Sequence, residues 1–362
     1  MRQEQTPIWH ENFKLNGLSF DSLDGLNEFL DSMKTQGNQF ELDLAEFLTQ
    51  WLSPESSIVT YTSGTTGQPK KCILSKENMR LSARTTGAFF EVQSKAHALL
   101  CLPLSFIAGK MMVVRALVLG WDLHVVPPTK DALTQYDTHY DFVALVPHQL
   151  AHSYRALNKV KTLIVGGGVL PSYFEDKLQD SSVQAYATYG MTETLTHVAA
   201  RRLNGPERSD RYRAMPGVEF NIDHRGCLVI NAPNLLEAPL VTNDLVDLID
   251  QHTFIYSGRI DDVINCGGIK YSPESLERKL RHHLNDNFVI SSLPHETLGE
   301  QIVLVKDSSG PSDTVIHESF AALSPLERPK LILNLEALPQ TNSGKYKRKV
   351  IRALIRNQKN QG

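Results

Sequence analysis

The feature that most constrains the fold is a run from Tyr61 to Lys71 in which glycines and hydroxyl side chains are followed by two lysines. The residues before it, from Ser57, are β-branched and apolar, which is typical of a strand. A donor-rich loop after a strand can hold a polyphosphate, because backbone N–H groups, hydroxyls and a lysine all meet negative oxygens. It is not a Walker A loop, since Gly67 is followed by Gln68-Pro69-Lys70. The run therefore predicts a phosphate-binding loop, and the alternative is a solvated turn or linker.

Composition narrows the function classes. The chain has 362 residues, 41% hydrophobic and 21% charged, with a formal charge of −3. That is long enough for two or more cores and gives no basic surface for nucleic acid. No apolar run approaches the roughly 20 residues of a membrane helix, and the first residues are polar, so a cytoplasmic protein without an integral membrane segment is predicted. The four cysteines form no CxxC pair and are predicted to be free thiols.

The order of elements predicts an α/β fold. Helical spacing of apolar residues predicts helices at 21–33 and 40–52, and Ser75 is a suitable cap for a helix at 75–90. Buried strands then alternate with glycine loops and a helix at 110–119; these strands are predicted at 99–102, 122–126, 142–146, 162–165 and 183–187. We predict a large layered αβα N-terminal domain, 1–258, with a small β-rich subdomain at 214–258, and an α+β C-terminal domain, 259–362.

Five segments, in this order along the chain, resemble the signature motifs of the adenylate-forming superfamily. The first is the hydroxyl-rich run, and the others are Gly166-Gly167-Gly168, Thr188 to Thr194, Thr242 to Asp244 with Tyr256 to Lys270, and Leu338 to Arg348. This superfamily includes acyl- and aryl-CoA ligases, nonribosomal adenylation domains and firefly luciferase. The resemblance implies that a carboxylic acid is activated with ATP and Mg²⁺ to an acyl-adenylate, and that the acyl group then passes to a thiol such as CoA.

The resemblance also implies roles at the nucleotide. The β- and γ-phosphates of ATP would be held by Thr62, Ser63, Gly64, Thr65, Thr66, Gly67 and Lys70. Tyr189 and Gly167 would lie against adenine, while Asp244 would accept both ribose hydroxyls and Arg259 would contact ribose or phosphate. Thr192 would bind the α-phosphate and Glu193 would hold Mg²⁺, which prefers hard oxygen ligands. Taken singly, these motifs could also be a tight turn, a helix cap or a surface charge cluster.

The C-terminal motifs imply a moving domain. Lys345 matches the catalytic lysine of the superfamily, a compact charge on a long stem that would stabilise the transferring oxygens. Asp261 matches the hinge about which the mobile C-terminal domain rotates. Gly267 and Gly268 match a loop that lines the pantetheine channel. The alternative for the Lys345 segment is a basic C-terminal helix.

The acyl pocket is indicated by the segment from Leu102 to Leu119, which looks most like compact o-succinylbenzoate–CoA ligases of menaquinone biosynthesis. Phe106 stands where the superfamily often has histidine, and with Gly166 it would shape the pocket. That substrate carries a second carboxylate, which needs a cation or donors. Lys110 is the first candidate and Arg115 the second, against the alternative that Lys110 faces solvent.

Several alternatives stay open. The chain could be another aryl- or acyl-CoA ligase, a free-standing adenylation domain that feeds a carrier protein, or a catalytically dead nucleotide-binding module. The superfamily is usually about 500 residues long, and its phosphate loop lies further from the N-terminus than Tyr61. The resemblance therefore implies a large domain that is trimmed at its N-terminus. A homo-oligomer is compatible with the sequence.

If Lys345 acts as the resemblance implies, Lys345→Ala will slow adenylate formation by about 100-fold, the usual effect of removing a transition-state donor. Thioester formation from a supplied acyl-adenylate should change far less, because the lysine has left the site by then. Single-turnover measurements of both steps test this division. An equal loss in both steps would refute it.

Overall fold

The computed structural model describes residues 9–63, 69–168, 170, 172–281, 283–284, 287–340 and 346–361. In this part of the chain the helices are α1 (Leu23–Gln36), α2 (Gln39–Leu52), α3 (Lys76–Phe89), α4 (Ile107–Leu119), α5 (Pro147–Ser153), α6 (Ser172–Leu178), α7 (Pro273–Arg281), α8 (Asp313–Ser319) and α9 (Arg348–Gln361). The strands are β1 (Lys14–Leu15), β2 (Leu18–Ser19), β3 (Ser57–Ser63), β4 (Pro69–Ser75), β5 (His97–Leu100), β6 (Asp122–Val125), β7 (Tyr140–Leu145), β8 (Val160–Val165), β9 (Gln184–Gly190), β10 (His197–Arg202), β11 (Arg211–Ala214), β12 (Glu219–Ile222), β13 (Cys227–Asn231), β14 (Leu240–Asp250), β15 (Thr253–Arg259), β16 (Ile264–Cys266), β17 (Ile269–Tyr271), β18 (Phe288–His295), β19 (Gly299–Lys306) and β20 (Leu331–Asn334).

One large mixed sheet organises the chain. Among the described residues it runs β12-β13-β14-β15-β11-β10-β9-β8-β7-β5-β6-β1-β2. The strands from β9 through β8, β7, β5 and β6 to β1 are parallel, and those from β9 to β12 in this order are antiparallel. The predicted α/β fold is therefore confirmed.

The central parallel strands β5, β7 and β8 are buried on both faces along most of their length. In β7, Phe142 and Ala144 pack in one apolar core with α1 to α4, whereas Val143 and Leu145 pack in a second core on the opposite face with α5 and α6. Successive side chains of a strand point to opposite faces, so a strand with a core on each side reads as a continuous apolar run. This is the layered αβα arrangement that the sequence predicts.

The residues after Arg259 form a smaller α+β unit. β17, β16, β19 and β18 make an antiparallel sheet, and β20 pairs in parallel with β19. α7 and α8 pack on one face and α9 on the other, where Ile351 and Ile355 are buried against β18 and β19. No helix in the described residues has both the length and the apolar character needed to span a membrane.

In the N-terminal part of the chain, local sequence placed the helices α1 to α4 and the strands β3 and β5 to β9. Ser75 caps α3 as predicted, its hydroxyl accepting from the N–H of Asn78. The predictions left out β4, which pairs with β3 as a hairpin, and the short strands β1 and β2. The β-rich segment is not a sheet of its own, because β11 pairs with both β10 and β15 and so continues the main sheet. β15 lies far along the chain from β11, and local sequence patterns do not reveal pairing between distant segments.

Asn204, which follows β10, joins neighbouring segments at the start of β9. It is buried, and its amide donates to the carbonyls of Leu178 at 3.0 Å and Val183 at 2.8 Å. Its Oδ1 accepts from the N–H of Ala185 at 3.1 Å. These bonds tie the end of α6 to the start of β9, so this one side chain satisfies three buried backbone groups.

Asn204→Ala should lower the free energy of unfolding by about 3 kcal/mol, because buried backbone groups lose their partners. Asn221→Ala is the matched control, since Asn221 is exposed on β12 and its loss should cost less than about 0.5 kcal/mol. Denaturant unfolding of both variants measures the difference. Equal costs would contradict the role given to Asn204.

Candidate active site

Four chain segments meet at the carboxyl edge of the parallel strands. They follow β5, β7, β8 and β9 and comprise residues 101–106, 146–148, 166–168 and 191–196. β5 lies between β6 and β7 in the sheet. The chain passes from β5 to β6 on one side and then crosses to β7 on the other side, so the order of the strands reverses at β5. Ligands of open α/β sheets bind in the crevice at such a change of direction. Because β8 and β9 are neighbouring parallel strands, the motifs that follow them lie side by side at this edge.

The glycine segment after β8 leaves room for close backbone approach. Gly167 has φ +77°, a conformation that favours glycine, and the N–H of Gly166 donates to Leu145 O at 3.1 Å. A Cβ on Gly166 would lie 2.6 Å from Thr188 Oγ1, which is too close for any side chain. Both glycines are thus required by the local geometry, and they lie between the ends of β7 and β9.

The turn after β9 carries Thr192 and Glu193. It ends in a γ-turn at Leu195, where φ is +65° and Thr196 N–H donates to Thr194 O at 2.7 Å. A non-glycine residue with positive φ in such a turn is strained, and strained backbone concentrates at functional sites. Thr194 is buried and its hydroxyl accepts from Met191 N–H at 3.1 Å, which fixes the start of the turn.

Glu193 fits a magnesium site. Its side chain is exposed and makes no hydrogen bond or ion pair with another described residue. The described residues contain no cluster of three or more histidine, cysteine or acidic ligands. Mg²⁺ usually takes only one or two protein carboxylates and completes its shell with phosphate and water, so a single free carboxylate is sufficient.

Asp244 is the most constrained carboxylate of the site. It is buried on β14, and Tyr189 OH donates to its Oδ2 at 2.6 Å while Arg259 Nη1 donates to its Oδ1 at 2.9 Å. Asp244 and Arg259 are direct partners in the β14–β15 register. Burial and the negative charge of Asp244 both raise the pKa of Tyr189, so its hydroxyl stays a donor.

A hydrogen-bonded chain leads from this carboxylate to the predicted hinge. Arg259 Nη2 donates to Asp261 Oδ2 at 3.1 Å, and Asn243 Nδ2 donates to the same oxygen at 3.3 Å. Arg225 in turn holds Asn243, with Nη1 to Oδ1 at 3.1 Å. Burial lowers the pKa of Arg259, but Asp244 and Asp261 raise it overall. Sequence analysis missed Arg225, which has no motif of its own.

Gly267 and Gly268 form the tight turn between β16 and β17. Their φ angles are +62° and +82°, and the turn joins the directly paired residues Cys266 and Ile269. A two-residue hairpin whose residues both have positive φ is a type I′ turn, which favours glycine at both positions. The backbone alone therefore accounts for these glycines.

The two candidate cations of the acyl pocket differ in their partners. Lys110 Nζ donates to Leu104 O at 2.6 Å and to Thr60 Oγ1 at 3.3 Å, and burial lowers its pKa. Arg115 is 2% exposed, and burial lowers its pKa to about 9. Its Nη2 donates to Thr196 Oγ1 at 2.9 Å, its Nη1 faces Met112 Sδ at 3.5 Å, and its buried Nε has no hydrogen-bond partner among the residues that the structure describes.

Other predicted residues are placed only in part. Phe106 precedes α4 and is 52% exposed. The backbone of Thr62 pairs with Lys70, and that of Ser63 with Pro69, across the β3–β4 hairpin. Outside the described residues lie Gly64, Thr65, Thr66, Gly67 and Lys345. The roles assigned to these residues stay predictions.

Comparison with known proteins identifies the class. Residues 18–232, more than half of the chain, match the family model "AMP-binding enzyme". The chain therefore belongs to the AMP-binding enzyme family, and the predicted resemblance is confirmed.

Individual relatives are consistent with this class. The chain is 24% identical over 298 residues to 2-succinylbenzoate–CoA ligase of Salmonella typhimurium, an alignment with 77% of this chain and 64% of that protein. It is 24% identical to the Bacillus cytotoxicus enzyme of the same name, over 88% of this chain and 72% of that one. The chain thus spans about two thirds of the length of these curated relatives.

Two solved structures show the same fold. An acyl-CoA synthetase (AMP-forming)/AMP-acid ligase II-like protein from Dyadobacter fermentans superposes with a TM-score of 0.61 at 31% identity, covering 90% of this chain and 97% of that one. O-succinylbenzoate CoA synthetase from Bacillus subtilis, in complex with ATP and magnesium, has a TM-score of 0.67 at 19% identity, covering 80% and 68%. The first shows that a protein of similar extent has this architecture.

Tyr189→Phe should raise the KM for ATP about tenfold, because it removes a hydrogen bond to a charged group while keeping the ring. Pyrophosphate release at saturating acid, with ATP varied, measures this. Tyr256→Phe is the control: its ring lies 6.2 Å from that of Tyr189, and its hydroxyl has no hydrogen bond among the described residues. A similar rise in both variants would show that the Tyr189–Asp244 bond is not the cause.

Proposed function

We propose that this protein is an AMP-forming acid–thiol ligase that joins a dicarboxylic aryl acid to CoA. The observation that carries the choice of acid is Arg115, a buried guanidinium with no carboxylate partner among the described residues. The best candidate substrate is o-succinylbenzoate, which would give o-succinylbenzoyl-CoA, an intermediate of menaquinone biosynthesis. The names of the curated relatives support this choice.

In the first half-reaction, an oxygen of the substrate carboxylate attacks the α-phosphorus of ATP, and the bond to pyrophosphate breaks. Asp244 and Arg259 hold the ribose, Tyr189 orients Asp244, and Thr192 binds the α-phosphate. Glu193 would hold Mg²⁺, which would supply positive charge to the phosphates. Thr62 to Lys70 hold the departing phosphates, and Lys345 stabilises the charge that develops on the transferring oxygens.

In the second half-reaction, the CoA sulfur attacks the acyl carbon of the adenylate, the thiol proton is lost, and AMP leaves. The C-terminal domain, residues 259–362, rotates about Asp261 beforehand and withdraws Lys345. Gly267 and Gly268 then line the path of the pantetheine arm. Mobile lids of this kind assemble different sites for successive steps.

The second carboxylate of the acid is assigned to Arg115 rather than Lys110. Lys110 already has a carbonyl and a hydroxyl as partners. The described residues give Arg115 one hydroxyl and one thioether as partners and leave its Nε without an acceptor. A buried, uncompensated charge is costly, and an anion that binds there recovers part of that cost. Phe106 and Gly166 complete the pocket.

Pyrophosphate release across a panel of carboxylic acids tests the function. We expect turnover with o-succinylbenzoate and weaker turnover with 4-oxo-4-phenylbutanoate, which lacks the ring carboxylate. In Arg115→Gln, the ratio of kcat/KM for the two acids should fall about 100-fold, as expected for losing hydrogen bonds to a buried charge.

Lys110→Gln is the matched comparison, and it should leave that ratio nearly unchanged. No release with any acid would overturn the ligase function. Release with other acids but not with o-succinylbenzoate would overturn the substrate alone.

A further inference from the structure

A chain of polar side chains leads away from Arg115 into the core. Arg115 Nη2 donates to Thr196 Oγ1 at 2.9 Å. Thr196 Oγ1 lies 3.2 Å from His197 Nδ1, and His197 Nε2 lies 3.2 Å from Thr86 Oγ1. Thr86 Oγ1 donates to Ser82 O, within α3, at 2.9 Å. The chain thus connects α4, the turn after β9 and the backbone of α3.

The donor and the acceptor of each hydrogen bond in this series can be assigned by starting from Thr86, whose hydroxyl donates to Ser82 O. Thr86 has one hydroxyl proton, which goes to Ser82 O, so His197 Nε2 must be the donor to Thr86. In a neutral imidazole the other nitrogen, Nδ1, is then an acceptor. Thr196 therefore donates its proton to Nδ1, and its oxygen is left to accept from Arg115.

The surroundings keep His197 in that state. Burial, and then the charge of Arg115, hold the pKa of His197 well below 6.5. A protonated ring would direct a second N–H at Thr196 Oγ1, which already accepts from Arg115. The ring of Phe90 meets His197 edge-on, with centroids 5.8 Å apart, and Thr86 is 1% exposed. The positions of these hydrogen-bonded side chains, and the donor and acceptor of each bond between them, are therefore fixed.

The protein treats Arg115 differently from its other well-buried arginines. Arg201 pairs with Glu175, and Arg348 pairs with Glu274 at 3.0 Å and Glu277 at 2.7 Å. Within the described part of the chain, Arg115 has only neutral acceptors, which orient the guanidinium without neutralising it. A neutral acceptor leaves the positive charge available to a bound anion, whereas a protein carboxylate would compete with that anion.

We propose that Thr196 and His197 are positioning residues that hold Arg115 by one nitrogen and leave its free N–H groups to bind the non-reacting carboxylate of a two-charge acid. This inference rests on the proposed function and adds to it the residues that set the selectivity for charge. Thr196 lies three residues after Glu193, so the same turn that carries the proposed Mg²⁺ ligand also orients the acid.

The test compares Thr196→Val with Thr196→Ser, using kcat/KM for o-succinylbenzoate divided by that for 4-oxo-4-phenylbutanoate. Thr196→Val should lower this ratio about tenfold, because Arg115 loses its hydrogen bond to the Thr196 hydroxyl. Thr196→Ser keeps the hydroxyl and should restore it. Thr196→Asp gives Arg115 a competing carboxylate and should lower the ratio further, by about 100-fold.

Thr85→Val is the matched control, because Thr85 is the neighbour of Thr86 on α3 and its hydroxyl donates only to Leu81 O. It should leave the ratio unchanged. Equal losses for both acids in Thr196→Val, or an unchanged ratio in Thr196→Val and Thr196→Asp, would overturn the positioning role. If Arg115→Gln also leaves the ratio unchanged, the proposed second-carboxylate site fails as well, so the two failures are distinguishable.

Discussion

The geometry of this site depends on the parallel hydrogen bonding of β5, β7, β8 and β9. Parallel strands place all of their carboxyl ends at one edge, and because each strand is covered on both faces, those ends are the exposed part of each unit. The glycine segment and the strained turn at Leu195 occupy this edge together. The sheet then continues in antiparallel pairing to β14 and β15, whose register places Asp244 opposite Arg259. One sheet therefore positions both the acyl side and the nucleotide side of the proposed reaction.

The buried arginines of this structure differ in whether a carboxylate of the protein neutralises them. Arg201 and Arg348 have carboxylate partners, and their role in the described residues is structural. Arg115 has none among the described residues, and in the proposed function the second carboxylate of the substrate neutralises it. Because burial disfavours its charged form, folding around Arg115 costs free energy that an ion pair within the protein would have reduced. Such a cost is typical of a binding site and not of a scaffold.

Sequence was sufficient where the information is local. The parallel strands β5 to β9 were predicted because buried strands are continuous apolar runs, and α3 was predicted because Ser75 is a recognisable cap. β4 and β10 were missed, since their lysines and arginines break the apolar pattern and their pairing is set by other strands. The family motifs named Tyr189, Asp244 and Arg259 but not their mutual bonds. His197 and Thr86 are 111 residues apart, and no local sequence pattern predicts their contact.

Arg259 joins the two halves of the proposed cycle. One of its nitrogens contacts Asp244, assigned to the ribose, and another contacts Asp261, assigned to the hinge. Asn243 and Arg225 support the same hinge carboxylate from the β14 side. A rotation about Asp261 must change at least one of these contacts, because they join residues on both sides of the proposed domain boundary. In the proposed cycle, Arg259 thus links the carboxylate assigned to the ribose with the carboxylate assigned to the hinge, and this would couple the nucleotide site to the domain that is proposed to move before CoA reacts.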